Sequence, residues 1–230
     1  MPLHLLAGEP EAGPWHAEPL AAVADGLMRL GRQRAGNRRP VVLAVDGRSS
    51  GGKTTLAGRL QDAVPGSAVV HTDDIAWWYS RFGWAGLLAD GILVPARAGH
   101  PVRYRPPPWD ERSRAGAIEV PAGGPLLIIE GVGAARRECA HLTDVAIWVQ
   151  SDEQETEYRN LARVGQIDGM PTEQDHRDWM AEEIPFQASQ RPWERADLIV
   201  CGTPQIPYDP AAELVVAPLA APSFLVTSCR

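Results

Sequence analysis

The sequence is almost without lysine. Of its 22 Lys and Arg residues only Lys53 is a lysine, so nearly every cationic position carries a guanidinium instead. A chain that keeps one compact ammonium keeps it where a point charge is needed, because the two side chains differ in shape, hydration and donor geometry. Cysteine is scarce as well: Cys139, Cys201 and Cys229 are odd in number and far apart, which excludes a disulfide framework and metal-ligand spacing. The six histidines are scattered, with no pair at the separations that build zinc sites. Basic excess is also missing. Net charge is −7, which argues against a nucleic-acid footprint while leaving small anions to a local pocket. No stretch approaches membrane-spanning length, and the first residues lack the basic and apolar regions of a signal peptide. No membrane partner is expected; a reducing cytoplasm is the expected location, and homo-oligomer formation is left open.

What is present is a soluble composition, 44% hydrophobic and 22% charged, over 230 residues, enough for one domain with a substantial core. One stretch dominates it. Gly47-Arg48-Ser49-Ser50-Gly51-Gly52-Lys53-Thr54 fits G-x-x-x-x-G-K-[ST], a loop whose backbone N–H groups cradle phosphates. The β-branched run Val41 to Asp46 before it reads as a buried strand, and Thr55 to Leu60 after it has apolar residues at helical spacing. Glycines let the backbone close on phosphate with no Cβ in the way, and the helix start adds its dipole. The nucleotide-binding set is therefore Gly47, Ser49, Ser50, Gly51, Gly52, Lys53, Thr54 and Thr55. Within it Lys53 reaches the β- and γ-phosphates and the Thr54 hydroxyl is a ligand of Mg²⁺.

Around this loop the chain divides as follows. Residues 1 to 14, with Pro2, Gly8, Pro10, Gly13 and Pro14, read as a loosely held lead-in. Residues 15 to 36 read as an N-terminal helix, with Leu20, Val23, Ala24, Leu27 and Leu30 on one face. Ser67 to Thr72 is a second strand ending in Asp73-Asp74, acids placed at the sheet edge where open α/β sheets bind ligands. They serve either as a base or Mg²⁺ support, or as helix caps. The aromatic run Ile75 to Trp84, including Trp77, suits an acceptor pocket and ordinary core packing equally. Pro95 to Pro108, rich in Pro and Arg, reads as a non-helical excursion; Arg105 and Asp110 in and beside it are candidate acceptor contacts as well as candidate solvated residues.

Leu126 to Gly131 is a continuous apolar run ending in Glu130, the position of the acid that supports Mg²⁺. Asp144 to Val149 is a further strand, and a charged helix from about 152 to 163 puts Arg159 and Arg163 on one face. Gly165 to Thr172 reads as a flap, Asp175 to Gln190 as helix at least to Pro185, and Ala196 to Cys201 as the last strand. Beyond residue 204 the Ala/Pro-rich tail predicts no element.

The order of these signals resembles the uridine kinase-like branch of the P-loop nucleoside and nucleotide kinases. The matching pieces are Asp46-Gly47 to Thr55, Thr72-Asp73-Asp74, Ile129-Glu130-Gly131, Arg159 with Arg163, and Ala196 to Val200, together about residues 41 to 204. The resemblance implies an α/β, P-loop three-layer sandwich. Its five-stranded, mostly parallel sheet would carry a small lid with its following helix at about 159 to 190. It further implies ATP- and Mg²⁺-dependent phosphorylation of a small-molecule hydroxyl, first of all a uridine- or cytidine-like nucleoside. In that reading Asp73 activates the acceptor hydroxyl and, with Thr54 and Glu130, serves the metal. Arg159 and Arg163 grip the transferring group, Asp74, Trp77, Arg105 and Asp110 meet the acceptor, and Gly202-Thr203-Pro204 lines the adenine pocket. Three departures stand out: Ile75-Ala76 separate the acid from Trp77, the lid reads Arg163-Val164-Gly165-Gln166-Ile167-Asp168 where the family has a denser Arg/Asp pattern, and residues 81 to 112 have no counterpart that aligns. Other small alcohols, such as a vitamin precursor, sugar or antibiotic, and a non-catalytic ATP-binding regulator are the alternatives. A GTPase is excluded, since its Asn-Lys-x-Asp reader needs a lysine other than Lys53.

Overall fold

Residues 41 to 47, Val-Val-Leu-Ala-Val-Asp-Gly, are buried without exception, as a strand covered on both faces must be. They form β2 of a computed structural model that describes residues 3–36, 38, 40–162 and 172–217. In chain order the strands are β1 (His16–Pro19), β2 (Val41–Gly47), β3 (Ala68–His71), β4 (Val102–Tyr104), β5 (Ile118–Val120), β6 (Leu126–Glu130), β7 (Val145–Gln150), β8 (Leu198–Cys201) and β9 (Glu213–Ala217). Seven of them make one sheet in the order β1-β9-β8-β7-β2-β6-β3. From β8 to β3 every pairing is parallel, with β2 between β6 and β7. The five parallel strands are those that the sequence predicts.

Two antiparallel strands extend that sheet to seven. β9 pairs with β8 through Ile199↔Ala217, and β1 pairs with β9 through His16↔Val216. β1 falls in the segment read as the start of a helix, and β9 in the tail that predicted no element. His-Ala-Glu-Pro is too short and too proline-bound to announce a strand, yet it suits the sheet edge, where a missing N–H costs nothing. β9 reads Glu-Leu-Val-Val-Ala, and the surrounding Ala and Pro mask it.

The sheet alternates its side chains between two cores, as period-two geometry requires. On one face Leu43, Val45, Ile128, Ile147, Val200 and Val216 pack under α1 (Leu20–Ala35) and α2 (Lys53–Ala63). On the other, Val42, Ala44, Leu127 and Ile129 pack against Ile75, Trp84 and Leu88, carried by α3 (Thr72–Ala76), the turn after it and α4 (Ala85–Leu88). α4 continues through a π-helical turn at Ala89–Leu93 into α5 (Val94–Arg97). Helix thus enters the segment read as a loop; Pro95, the second residue of α5, comes directly after the π-helical turn, an irregularity of the helical hydrogen-bond pattern. The excursion then forms the β4–β5 hairpin pair, with α6 (Pro107–Glu111) between its strands.

The last helices are α7 (Glu153–Leu161), capped by Asp152 accepting from Glu155 N, and α8 (Glu173–Gln190), which begins in a Thr172/Asp175 capping box and runs unbroken past Pro185. The lead-in is also tied down, contrary to the loose reading. Leu6 packs with Trp148, Trp193 and Ile199. Glu9 Oε1 accepts from Trp148 Nε1 at 2.6 Å and Gln150 Nε2 at 2.8 Å. Among the described residues no helix is long and apolar enough to cross a membrane.

Candidate active site

The phosphate loop is the short connection between β2 and α2. It is pressed against the sheet: a Cβ at Gly47 would meet Val149 O at 2.7 Å, and one at Gly51 would meet Arg48 O at 2.9 Å. Gly52, at the N-cap of α2, has φ 97°, a left-handed conformation that strains any residue with a side chain. Lys53 is buried, and its Nζ donates to Arg48 O at 2.7 Å, closing the loop on itself. An ammonium satisfied by one carbonyl keeps two donors for other partners.

Asp46 fixes the loop from below. Its carboxylate is fully buried and accepts from Gly47 N (2.8 Å), Gly133 N (2.9 Å) and Ala135 N (2.9 Å), joining β2 to the turn after β6. Burial pushes its carboxyl up from the ordinary aspartate range, and the three N–H donors and Lys53 oppose that rise. Sequence reading used Asp46 only as part of a motif; an acid ending a buried strand was the available signal for this anchoring role.

Thr54 Oγ1 donates to Glu130 Oε1 at 3.1 Å, and His71 Nδ1 lies 2.6 Å from Glu130 Oε2. Burial works to raise the Glu130 carboxyl, but the His71 hydrogen bond and Lys53 outweigh it and leave it below its usual value. His71 is raised in turn, chiefly by its hydrogen bond to Glu130. Asp73 stands in the first turn of α3. Burial raises its carboxyl above the normal range; Lys53 pulls it down, and Glu130 and Asp74 add to the rise. Lys53, Thr54, Asp73 and Glu130 all line one cavity of about 670 Å³ above the loop, a size suited to small-molecule ligands.

The far wall of that cavity comes from residues to which sequence reading gave no role: Arg81, Asn160, Asp175, His176 and Trp179. Arg81 Nη1 donates to Asp178 O at 2.8 Å and pairs with Glu182. His176 Nε2 lies 2.7 Å from Glu157 Oε2, tying α8 to α7. Phe82 stacks on Phe186 with centroids 4.3 Å apart and leans on Trp179 at 5.3 Å. The two loop serines face these helices. Ser49 Oγ donates to Glu183 Oε2 and Ser50 Oγ to Asn160 Oδ1, both at 2.5 Å.

Other candidates lie elsewhere. Arg159 donates from Nε to Glu155 Oε1 at 3.0 Å and from Nη1 to Ser50 O (3.4 Å) and Gly202 O (3.3 Å). It lines a second cavity, of about 540 Å³, with His4, Asp152, Thr203, Pro204 and Gln205. Arg163 and the segment to residue 171 lie outside the described residues. Asp74 pairs with Arg114, and its carbonyl accepts from Trp109 Nε1 at 2.8 Å. Trp77 packs on the second core, with the Arg114 guanidinium 5.0 Å from its ring centroid. Arg105 and Asp110 pair with each other at 2.6 Å, and Arg105 also donates to the carbonyls of Gly116 and Arg114. Asp74, Trp77, Arg105 and Asp110 are absent from the described lining of the cavity over the phosphate loop.

The donors fit a magnesium nucleotide. Among the described residues no three His, Cys, Asp or Glu side chains form a self-contained metal cage. Thr54 and Glu130 are in contact and Asp73 faces the same cavity. Few protein oxygens, completed by water and phosphate, is the usual provision for Mg²⁺.

No protein-family profile matches the sequence, and no curated protein matches it. Solved structures do. A provisionally designated fructose transport system kinase from Silicibacter sp. TM1040 aligns with TM-score 0.55 and 20% identity over 78% of this chain and 95% of that one. A provisionally designated uridine kinase from Bacillus stearothermophilus aligns with TM-score 0.43 and 17% identity over 77% of this chain and 98% of that one. A shikimate kinase from Bacteroides thetaiotaomicron gives TM-score 0.34 and 16% identity over 70% and 86% of the two chains. The first of these shares the fold, an α/β sandwich about a mostly parallel central sheet.

Proposed function

We propose that this chain is an ATP-dependent phosphotransferase that moves the γ-phosphoryl group to a hydroxyl of a small molecule, with a uridine- or cytidine-like nucleoside as acceptor. One observation supports the reading above the others: the lone lysine, the Thr54–Glu130 pair and the Asp73 carboxylate face a single cavity. Phosphoryl transfer asks a protein for positioning and charge neutralisation more than for covalent chemistry.

In this reading the N–H groups of the loop and the start of α2 hold the phosphates, and Lys53 turns its free donors from the Arg48 carbonyl side toward them. Thr54, Glu130 and Asp73 hold the Mg²⁺, which supplies positive charge to the phosphate oxygens when bound. Asp73 takes the proton of the acceptor hydroxyl; its raised pKa makes it a stronger base than an ordinary aspartate, provided it is ionised. Arg159 works from the base side, beside Thr203 and Pro204, and Arg163 is proposed to reach the transferring group. Trp179 offers a flat apolar surface for the acceptor, with Arg81, Asp175 and His176 around it to bind polar groups.

That same wall supports a second reading, a sugar acceptor, because an aromatic plane ringed by charged groups also suits a polyol; the Silicibacter structure is designated for fructose. ADP release from Mg·ATP across nucleosides, nucleoside monophosphates, pantothenate and sugars, with product mass confirmed and Lys53→Ala as control, separates the two. Nucleoside-dependent turnover that the control lacks is the expected result. Turnover with sugars alone discards the nucleoside and keeps the mechanism. ATP binding with no turnover on any acceptor would replace the enzyme by a nucleotide-binding regulator.

A further inference from the structure

α8 carries Trp179, Glu183 and Gln187 at successive i, i+4 positions, one stripe of a helix. All three side chains reach the phosphate loop. Glu183 is 1% exposed, and it accepts from Ser49 N at 3.0 Å and Ser49 Oγ at 2.5 Å. Trp179 Nε1 donates to the Glu183 carboxylate and to Ser49 Oγ at 2.9 Å. One turn further, Gln187 Nε2 donates to Gly47 O at 3.3 Å. A buried carboxylate held by a loop N–H, a loop hydroxyl and an indole N–H has one geometry, since each bond left unmade would strand a polar group out of water.

The stripe runs between two parts of the proposed site. Ser49 belongs to the loop that takes phosphate, while Trp179, with Asp175 and His176 a turn before it, forms the acceptor wall. We infer that Glu183 is a positioning residue that couples the phosphate loop to the acceptor wall, setting the Trp179 indole according to the state of Ser49. It touches neither ligand: its side chain is absent from the described cavity lining. The second serine reinforces the arrangement, since Ser50 Oγ is held by Asn160 of α7, and α7 is joined to α8 through Glu157 and His176. Phosphate entering the loop draws its N–H groups inward. That pull on Ser49 is transmitted through the Glu183 carboxylate to the indole, so nucleotide shapes the wall before the acceptor arrives. The coupling rests on the nucleotide reading above and extends it.

The test is a fluorescence titration with Mg·ADP of the wild type, Trp179→Phe and Glu183→Gln, with ADP affinity measured separately by calorimetry. The wild type should change its tryptophan emission on saturation. Trp179→Phe should lose most of that change while keeping the Kd for Mg·ADP within about fivefold, the low end of ordinary coupling factors. Glu183→Gln should behave likewise, because the amide keeps the shape but gives up one of the oxygens that receive Ser49 and Trp179. Retention of the full emission change in Trp179→Phe overturns the coupling; should Glu183→Gln fail to fold, as far-UV circular dichroism would reveal, that variant decides alone. An undiminished change in folded Glu183→Gln also overturns it. If calorimetry finds no ADP binding to the wild type, the nucleotide reading itself falls and takes the coupling with it. Binding without transmission would sink the coupling alone.

Discussion

The two sides of the cavity are built in opposite ways. On the phosphate side the residues are consecutive, from Gly47 to Thr55, and their conformation follows from one strand, one loop and one helix. On the acceptor side Asp73, Arg81, Asn160, Asp175 and Trp179 are drawn from α3 to α8, across about half the chain. In the proposed reading the phosphate side would act through backbone N–H groups and one ammonium, which depend little on the rest of the fold. The acceptor side would act through side chains whose meeting is decided by tertiary packing. A binding surface assembled from backbone is recognisable locally; one assembled from distant side chains can change its ligand without leaving a local trace.

Substitutions sharpen that contrast, beginning with the chemistry. Asp73→Asn should lower turnover by roughly 10²–10⁴-fold, the usual range for a general base, while the affinity for ADP without magnesium, by calorimetry, stays close to wild type. In the wild type, kcat/KM should fall as pH drops through the raised Asp73 pKa, since the ionised form is the active one; the asparagine variant should lose that limb of the profile. An unaltered limb would remove Asp73 from the role. Lys53→Ala should cost about 10²–10³-fold in transfer, as for other preorganised charge donors, and should weaken ADP binding as well.

Asp46→Ala tests the frame that both sides share. It strands the buried N–H groups of Gly47, Gly133 and Ala135, so unfolding stability in urea should fall by about 2–4 kcal/mol. A loss below about 0.5 kcal/mol, the level of an ordinary surface change, would mean that water replaces the carboxylate. The smallest effect belongs to Arg105→Ala. It should cost about 1 kcal/mol through lost bonds within the 102–120 excursion, leaving the KM for any acceptor unchanged. A selective rise in that KM would return Arg105 to the acceptor site.

Legibility followed the same division. All five parallel strands could be read: β2, β6, β7 and β8 are buried along their length and written as apolar runs such as Leu126 to Ile129, and the edge strand β3 still shows Ala68-Val69-Val70. The two antiparallel strands could not: β1 is four residues with a proline, and β9 sits among alanines and prolines. Residues 47 to 55 were legible by motif. Glu183 was not, since within Ala181-Glu182-Glu183-Ile184 nothing distinguishes the acid that enters the interior from Glu182, which stays on the surface with Arg81. α8 buries polar side chains, so its sequence lacks the apolar stripe by which helices are usually oriented. Arg105 and Asp110 were drawn toward the acceptor by charge alone; the structure pairs them with each other.

The strand order has a consequence for how the chain is made. β1 pairs with β9 in the sheet, and β9 separates it from β8. A ribosome delivers His16 to Pro19 nearly two hundred residues before Glu213 to Ala217, so the first strand to emerge waits unpaired until the last described one is complete. Contacts of such long sequence separation close late and slowly. Until then the β8 edge is open, a template for pairing with another chain. A released chain truncated after Cys201 should hold the five-stranded parallel sheet with β1 unpaired. The final few residues of β9 therefore act as a latch that closes over a fold already formed.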